Sequence, residues 1–152
     1  MRRLPLASST LLAMLVLCEA RATDPLVEVY AATAVDEVRE TIDGDFVGTT
    51  NDAASFALHV VADGSQDFLG HQGTWKRKRK NHYRFVNSED FSTDLGAILQ
   101  PGQVLRTAKQ ICPDVLLRTH VITGPLKYSW TIDFGGMRFR FKANGAFVGS
   151  LT

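Results

Sequence analysis

The amino-acid sequence predicts an all-β domain, an antiparallel barrel or strongly curved sheet with one N-terminal helix. Three observations carry that expectation. Aromatic residues alternate with polar ones in the last third of the chain, Gly- and Asp-containing turn pairs punctuate the segments before it, and a helical periodicity lies near the start, over 25–41. An α+β roll, with the helix in the concave face, is the alternative architecture.

Ahead of these elements, residues 1–22 read as a removable signal peptide. Arg2 and Arg3 form a positive n-region, Leu11 to Leu17 an apolar h-region, and Ala20-Arg21-Ala22 the small residues of a cleavage site. The apolar run falls short of the roughly 20 residues needed to span a bilayer, and no later stretch approaches that length. Leu15-Val16-Leu17-Cys18 has the outline of a bacterial lipobox, which would make Cys18 a lipidated end. Leu17 is large where that motif wants a small residue, so cleavage after Ala22 and a secreted or periplasmic protein are expected. Residues 23–152 then form a single β-barrel-like domain, in which Cys112 is the only cysteine and no internal disulfide can form.

Over 25–41, Val27, Tyr30, Ala31, Ala34 and Val38 recur at helical spacing, with Thr23 or Asp24 as cap. Val and Thr are frequent there and would also suit a strand. Phe56, Leu58 and Val60 alternate before an Asp63-Gly64 turn, and Leu95 to Leu99 and Gln103 to Lys109 flank Pro101-Gly102. Val115 to Thr123 runs to Gly124-Pro125. Tyr128, Trp130, Ile132 and Phe134 share one strand face. A two-residue Gly135-Gly136 turn pairs Phe134 with Met137, Ile132 with Phe139, Trp130 with Phe141, and Asp133 with Arg138 on the other face. One register satisfies both faces. Asn144-Gly145 predicts a further turn, a three-residue loop with a glycine bulge that sets Phe147 against Ala143. Trp75, Tyr83 and Phe85 share a face if an odd-numbered loop around Lys78-Arg79-Lys80 joins their strands.

Gly73-Thr74-Trp75-Lys76-Arg77 followed by His82-Tyr83-Arg84-Phe85 resembles small secreted proteins of the calycin type, lipocalin-related barrels in which a G-x-W tryptophan packs across the barrel floor. The resemblance spans about residues 45–152 and implies a barrel and ligand binding. It departs from the lipocalin pattern in that G-x-W belongs to their first strand, whereas here some 50 residues of the mature chain precede it.

Charge is divided along the chain. Residues 23–72 hold ten carboxylates and one base, a net of −9, and residues 73–152 hold thirteen bases and five carboxylates, a net of +8. Either the halves fold against each other and offset the field, or the surface is bipolar and its basic side meets an anionic partner. The run Lys76, Arg77, Lys78, Arg79, Lys80 is a solvated hairpin tip or an anion-binding loop, and Arg138, Arg140 and Lys142 form a second basic stripe expected on the wet face.

Trp75, Tyr83, Trp130, Phe139 and Phe141 are the candidate ligand-lining residues, with ordinary core as their other role. Lys76, Lys78, Arg79 and Lys80 are the candidate anion-binding residues. His59, His71, His82 and His120 have no metal-ligand spacing, so no metal is expected. Cys112 with His120 is a buried or loop cysteine before it is a nucleophile, and the aspartates near glycines are turn-formers. No catalytic residue and no cofactor are expected. The expected function is to hold a small apolar or amphipathic ligand in the aromatic barrel, with binding of an anionic polysaccharide or lipid through 76–80 as the alternative.

Overall fold

The structure, a computed structural model, describes residues 23–152. The expected signal peptide and the Cys18 lipidation site lie outside the described residues. Eight strands follow one another around a closed antiparallel barrel: β1 (Val29–Ile42), β2 (Asp45–Val60), β3 (Ser65–Phe68), β4 (His71–Arg79), β5 (His82–Val86), β6 (Val104–Arg118), β7 (Val121–Phe134) and β8 (Met137–Leu151). Every strand pairs with its chain neighbour, and β1 closes the ring on β8.

The all-β barrel agrees with the sequence expectation, but the helix is elsewhere. Residues 29–42 form β1, and the helix of the described chain, α1 (Ser88–Ala97), joins β5 to β6. The apolar residues of β1 satisfy a two-residue period as well as a helical one: Tyr30, Ala32 and Ala34 are buried in alternation, and β-branched Val29, Thr33, Val35, Val38, Thr41 and Ile42 favour the extended chain. Two further expectations are corrected for one reason. Asn144-Gly145 and Gly124-Pro125 are interior to β8 and β7, not turns, because their glycines serve close packing. A Cβ on Gly124 would stand 2.8 Å from the Asp114 carbonyl oxygen and 3.1 Å from the Phe147 ring. Leu95 to Ala97, expected in a strand, close α1. The β7–β8 hairpin has the expected register at every pair, Asp133 with Arg138 included. Trp75 opposes Phe85 with a bulge between Arg77 and Arg79, which puts Trp75, Tyr83 and Phe85 on one face.

One half of the barrel is a filled ring. Phe68 lies edge-on to Phe56 and Phe147, with ring centroids 5.0 and 4.9 Å apart, and Phe85 stacks on Phe147. Small residues oppose large ones, Ala32 between Phe56 and Gly149 and Ala34 beside Phe147, so the interior here is occupied by complementary side chains. The floor is sealed by the segment before β1, not by a helix. Leu26 is fully buried; the Tyr30 hydroxyl donates to its carbonyl (3.0 Å), and the Tyr83 hydroxyl donates to Asp24 Oδ1 (2.5 Å). At the wall, the buried amides of Gln66 and Asn87 exchange two hydrogen bonds (2.7 and 3.0 Å), and Asn87 Nδ2 also donates to the His71 carbonyl (2.6 Å). Asn87 stands at the N-cap of α1 without capping it through its side chain, since that amide is spent on the wall.

Candidate functional site

Strand length divides the molecule. β3 pairs with β2 only at His59 and Val60, and β5 meets β6 only from Ile111 onward. Beyond those levels the sheet is a curved hood of five strands in the order β2–β1–β8–β7–β6, with α1 set beside β6 through Ser88, whose hydroxyl accepts from the Gln110 N–H (3.1 Å). The hood's concave face continues the barrel interior.

The register assigns that face residue by residue. Successive rows across β2, β1, β8, β7 and β6 read Asp52, Asp36, Gly145, Leu126; then Thr50, Val38, Ala143, Tyr128, Gln110; then Gly48, Glu40, Phe141, Trp130, Ala108. Aromatics therefore occupy the β7–β8 side and carboxylates the β1–β2 side. Tyr128, Trp130 and Phe141 form a ladder of near-parallel rings, 5.8 and 4.8 Å between centroids, and Phe91 of α1 lies edge-on to Tyr128 and Trp130. All three ladder residues are partly exposed.

Asp36 reaches the ladder across Gly145. The Tyr128 hydroxyl donates to Asp36 Oδ2 at 2.6 Å, while Asp36 Oδ1 is buried with no hydrogen-bond partner. Burial, and then the bond to Asp36, push the Tyr128 phenol up from its ordinary value. Asp36 and Asp52 face each other as direct cross-strand partners, an arrangement of like charges that costs stability unless a cation joins it. Among the described residues neither makes a salt bridge.

The outer surface of the same strands is basic. Arg39, Lys109, Lys127, Arg138, Arg140 and Lys142 alternate outward and are exposed. Asp133 lies between Arg138 (2.8 Å) and Arg106 (2.7 Å), whose hydrogen bonds hold its carboxyl far below the usual carboxylate range. Lys109, Lys127 and Lys142 line an outer groove of about 220 Å³ with Ser129. Of the Lys and Arg ion pairs among the described residues, only Arg77–Asp24 (3.8 Å) joins the acidic stretch 23–72 to the basic stretch 73–152. The acidic stretch spreads over both faces of the sheet: Asp36, Glu40 and Asp52 lie on its concave side, whereas Glu37 shares the outer side with the bases.

The expected ligand-lining residues fall into two groups. Trp75 and Tyr83 belong to the ring, edge-on at 5.9 Å, with Trp75 Nε1 donating to the Val61 carbonyl (2.8 Å). Trp130 and Phe141 belong to the hood, with Phe139 beside Ile132 on the same face. Lys76, Lys78, Arg79 and Lys80 are all exposed near the β4–β5 tip, and Lys78 also donates to the Pro113 carbonyl (3.1 Å). Cys112 is buried, which pushes its thiol up and away from nucleophilic use. Histidine spacing along the chain gave no hint that His71 Nδ1 approaches Asp94 Oδ2 (2.7 Å, without hydrogen-bond alignment) and Asp90 Oδ2 (3.9 Å) across the β4–α1 junction.

Asp36, Glu40, Asp52, Gln110 and Tyr128 were not among the expected site residues. The signal for two of them is the two-residue period of β1, which sets Asp36 and Glu40 on the face of Tyr30 once 29–42 is taken as a strand.

This is an up-and-down β-barrel with an open, acid- and aromatic-lined end. No protein-family model matches the chain, and comparison with curated proteins and with solved structures likewise finds no match.

Proposed function

We propose that this is a secreted or periplasmic, non-catalytic protein of calycin-like type that holds a small amphipathic ligand on the concave face of the hood, not within the ring. The observation that carries the reading is the partly exposed ladder Tyr128–Trp130–Phe141, continuous with the barrel interior and faced by carboxylates. Aromatic faces supply apolar area, and a few placed polar groups orient what lies on them. The ring is packed by its own side chains, which moves the binding place from the barrel's centre to its mouth.

Native mass spectrometry of the protein taken from its own host tests this. A mass excess lost on denaturation, and absent from Trp130→Ala, is expected. The bare protein mass, together with unchanged Trp130 fluorescence across a panel of amphipathic compounds, would reject the proposal.

A second reading, binding of an anionic polysaccharide or lipid surface, is favoured by the outer groove with its three lysines as well as by the tip at 76–80. It requires affinity that falls steeply with salt. Charge removal at Lys109, Lys127 and Lys142 should abolish that affinity, and equal affinity in the variant would eliminate this reading.

A further inference from the structure

We infer that the hood's ligand carries a protonated amine, received by Asp36 with Glu40 and Asp52 around it. The inference rests on the binding reading above and names the chemistry of that site.

The concave face of the hood carries Asp36, Glu40 and Asp52, with Asp45 opposite Ile42 at its edge, and no Lys or Arg. Its positions are Gly48, Thr50, Asp52 and Ala54 on β2, Asp36, Val38, Glu40 and Ile42 on β1, and Phe139, Phe141, Ala143 and Gly145 on β8. Leu126, Tyr128, Trp130 and Ile132 on β7, with Leu105, Ala108 and Gln110 on β6, complete it. Every Lys and Arg of these strands is exposed instead. The outer face mixes its signs, with Glu37 and Asp133 among the bases, whereas the charged side chains of the concave face are acidic alone.

Hydrogen bonding points the same way. Two side-chain atoms at this face are buried without a partner, Asp36 Oδ1 and Gln110 Oε1, and Gln110 itself is 2% exposed. Both are acceptors, and both belong to residues flanking Tyr128: Gln110 is its cross-strand partner and Asp36 accepts from its hydroxyl. A buried acceptor with no donor is costly, and costlier when charged. An ammonium group is a donor with no acceptor of its own, so it suits a face whose unpartnered atoms are acceptors, whereas a carboxylate or phosphate relieves neither. The rings of the ladder add the attraction of aromatic faces for cations. Phe91 of α1 packs edge-on against Tyr128 and Trp130, so α1 borders this face.

Three probes of one shape separate the possibilities: 2-phenylethylamine, 2-phenylethanol and 3-phenylpropionate, titrated calorimetrically into the protein at pH 7. The amine should bind at least about tenfold more tightly than the alcohol, and the carboxylate least of all. Asp36→Asn, which keeps the shape and the Tyr128 contact, should bring the amine down to the alcohol's level. Glu40→Gln should bring it part of the way, and Asp133→Asn on the outer wall should leave it unchanged. Equal affinity for amine and alcohol would overturn the inference while leaving an amphipath-binding protein in place. An amine preference that survives in both Asp36→Asn and Glu40→Gln would also overturn it. Failure of all three probes to bind would remove the inference together with the reading beneath it.

Discussion

Gly145 on β8 lies against Asp36 on β1 as its direct cross-strand partner, and a Cβ on Gly145 would stand 2.7 Å from Asp36 Cβ and collide with the Val35 carbonyl oxygen. The missing side chain is what lets the Asp36 carboxylate cross β8 and accept the Tyr128 hydroxyl.

Gly145→Ala should therefore destabilise the protein by about 1–3 kcal/mol, the range for overpacking a closed interior. Urea denaturation measures it, and loss of the amine preference should accompany it. A wild-type midpoint would show that β1 and β8 have room to part at this level.

The floor depends on Leu26. Leu26→Ala should cost about 2–5 kcal/mol, since the side chain is fully buried and the Tyr30 and Tyr83 hydroxyls are tied to the segment that carries it. Thermal unfolding reads the loss, and a shift within error would mean that residues 24–27 lie on the barrel without closing it.

The β6–β7 turn stores strain. Thr119 and His120 have φ of 45° and 66° in a two-residue turn between Arg118 and Val121, a conformation that suits Asn-Gly and penalises a β-branched residue. Replacing the pair, Thr119→Asn with His120→Gly, should raise stability by about 1 kcal/mol, visible as a higher melting temperature. A lower one would show that the native pair makes contacts worth more than the strain.

Tyrosine ionisation should be delayed. The chain has three tyrosines, and burial raises all of them: Tyr30 to about 12, with Glu28 and Asp24 adding to the effect, and Tyr83 and Tyr128 further, each bonded to an aspartate. A raised native-state value means that the folded protein holds the proton more tightly. The stability this contributes is whole below the unfolded value near 10 and is lost as pH climbs from there toward 12 and beyond. Absorbance of tyrosinate should stay near zero at pH 10 and rise together with alkaline unfolding; half-ionisation at pH 10 in the folded state would contradict the burial of these rings.

The β7–β8 hairpin could be read from the sequence because two independent constraints, aromatic parity and the Asp133–Arg138 pair, demand one register. The shared face of Trp75 and Phe85 was legible for a similar reason, but the tip is a two-residue turn at Lys80-Asn81, not an odd-numbered loop around Lys78-Arg79-Lys80, and the bulge between Arg77 and Arg79 restores the parity. β1 was not, because Tyr30, Ala31, Ala34 and Val38 satisfy helical spacing while Tyr30, Ala32, Ala34 and Val38 satisfy strand spacing. Only the partners on β2 and β8 decide between them. Gly124 and Gly145 misled for another reason: a glycine that turns the chain and a glycine that admits a neighbour look alike until the neighbour is known. The site inherited these ambiguities. Trp130 and Phe141 were found through their hairpin, whereas Asp36 and Glu40 were hidden by the helical reading of β1, and Gln110 by the want of any local pattern.

The separation of a packed ring from an overhanging hood has an evolutionary corollary. In a protein whose folding nucleus also lines its binding site, each change of specificity risks the fold. Here the same strands serve as foundation along one half of their length and as interchangeable façade along the other. Substitutions at positions 36, 40, 52, 128, 130 and 141 fall on the façade, so the lineage can explore new ligands there while the ring keeps the chain folded.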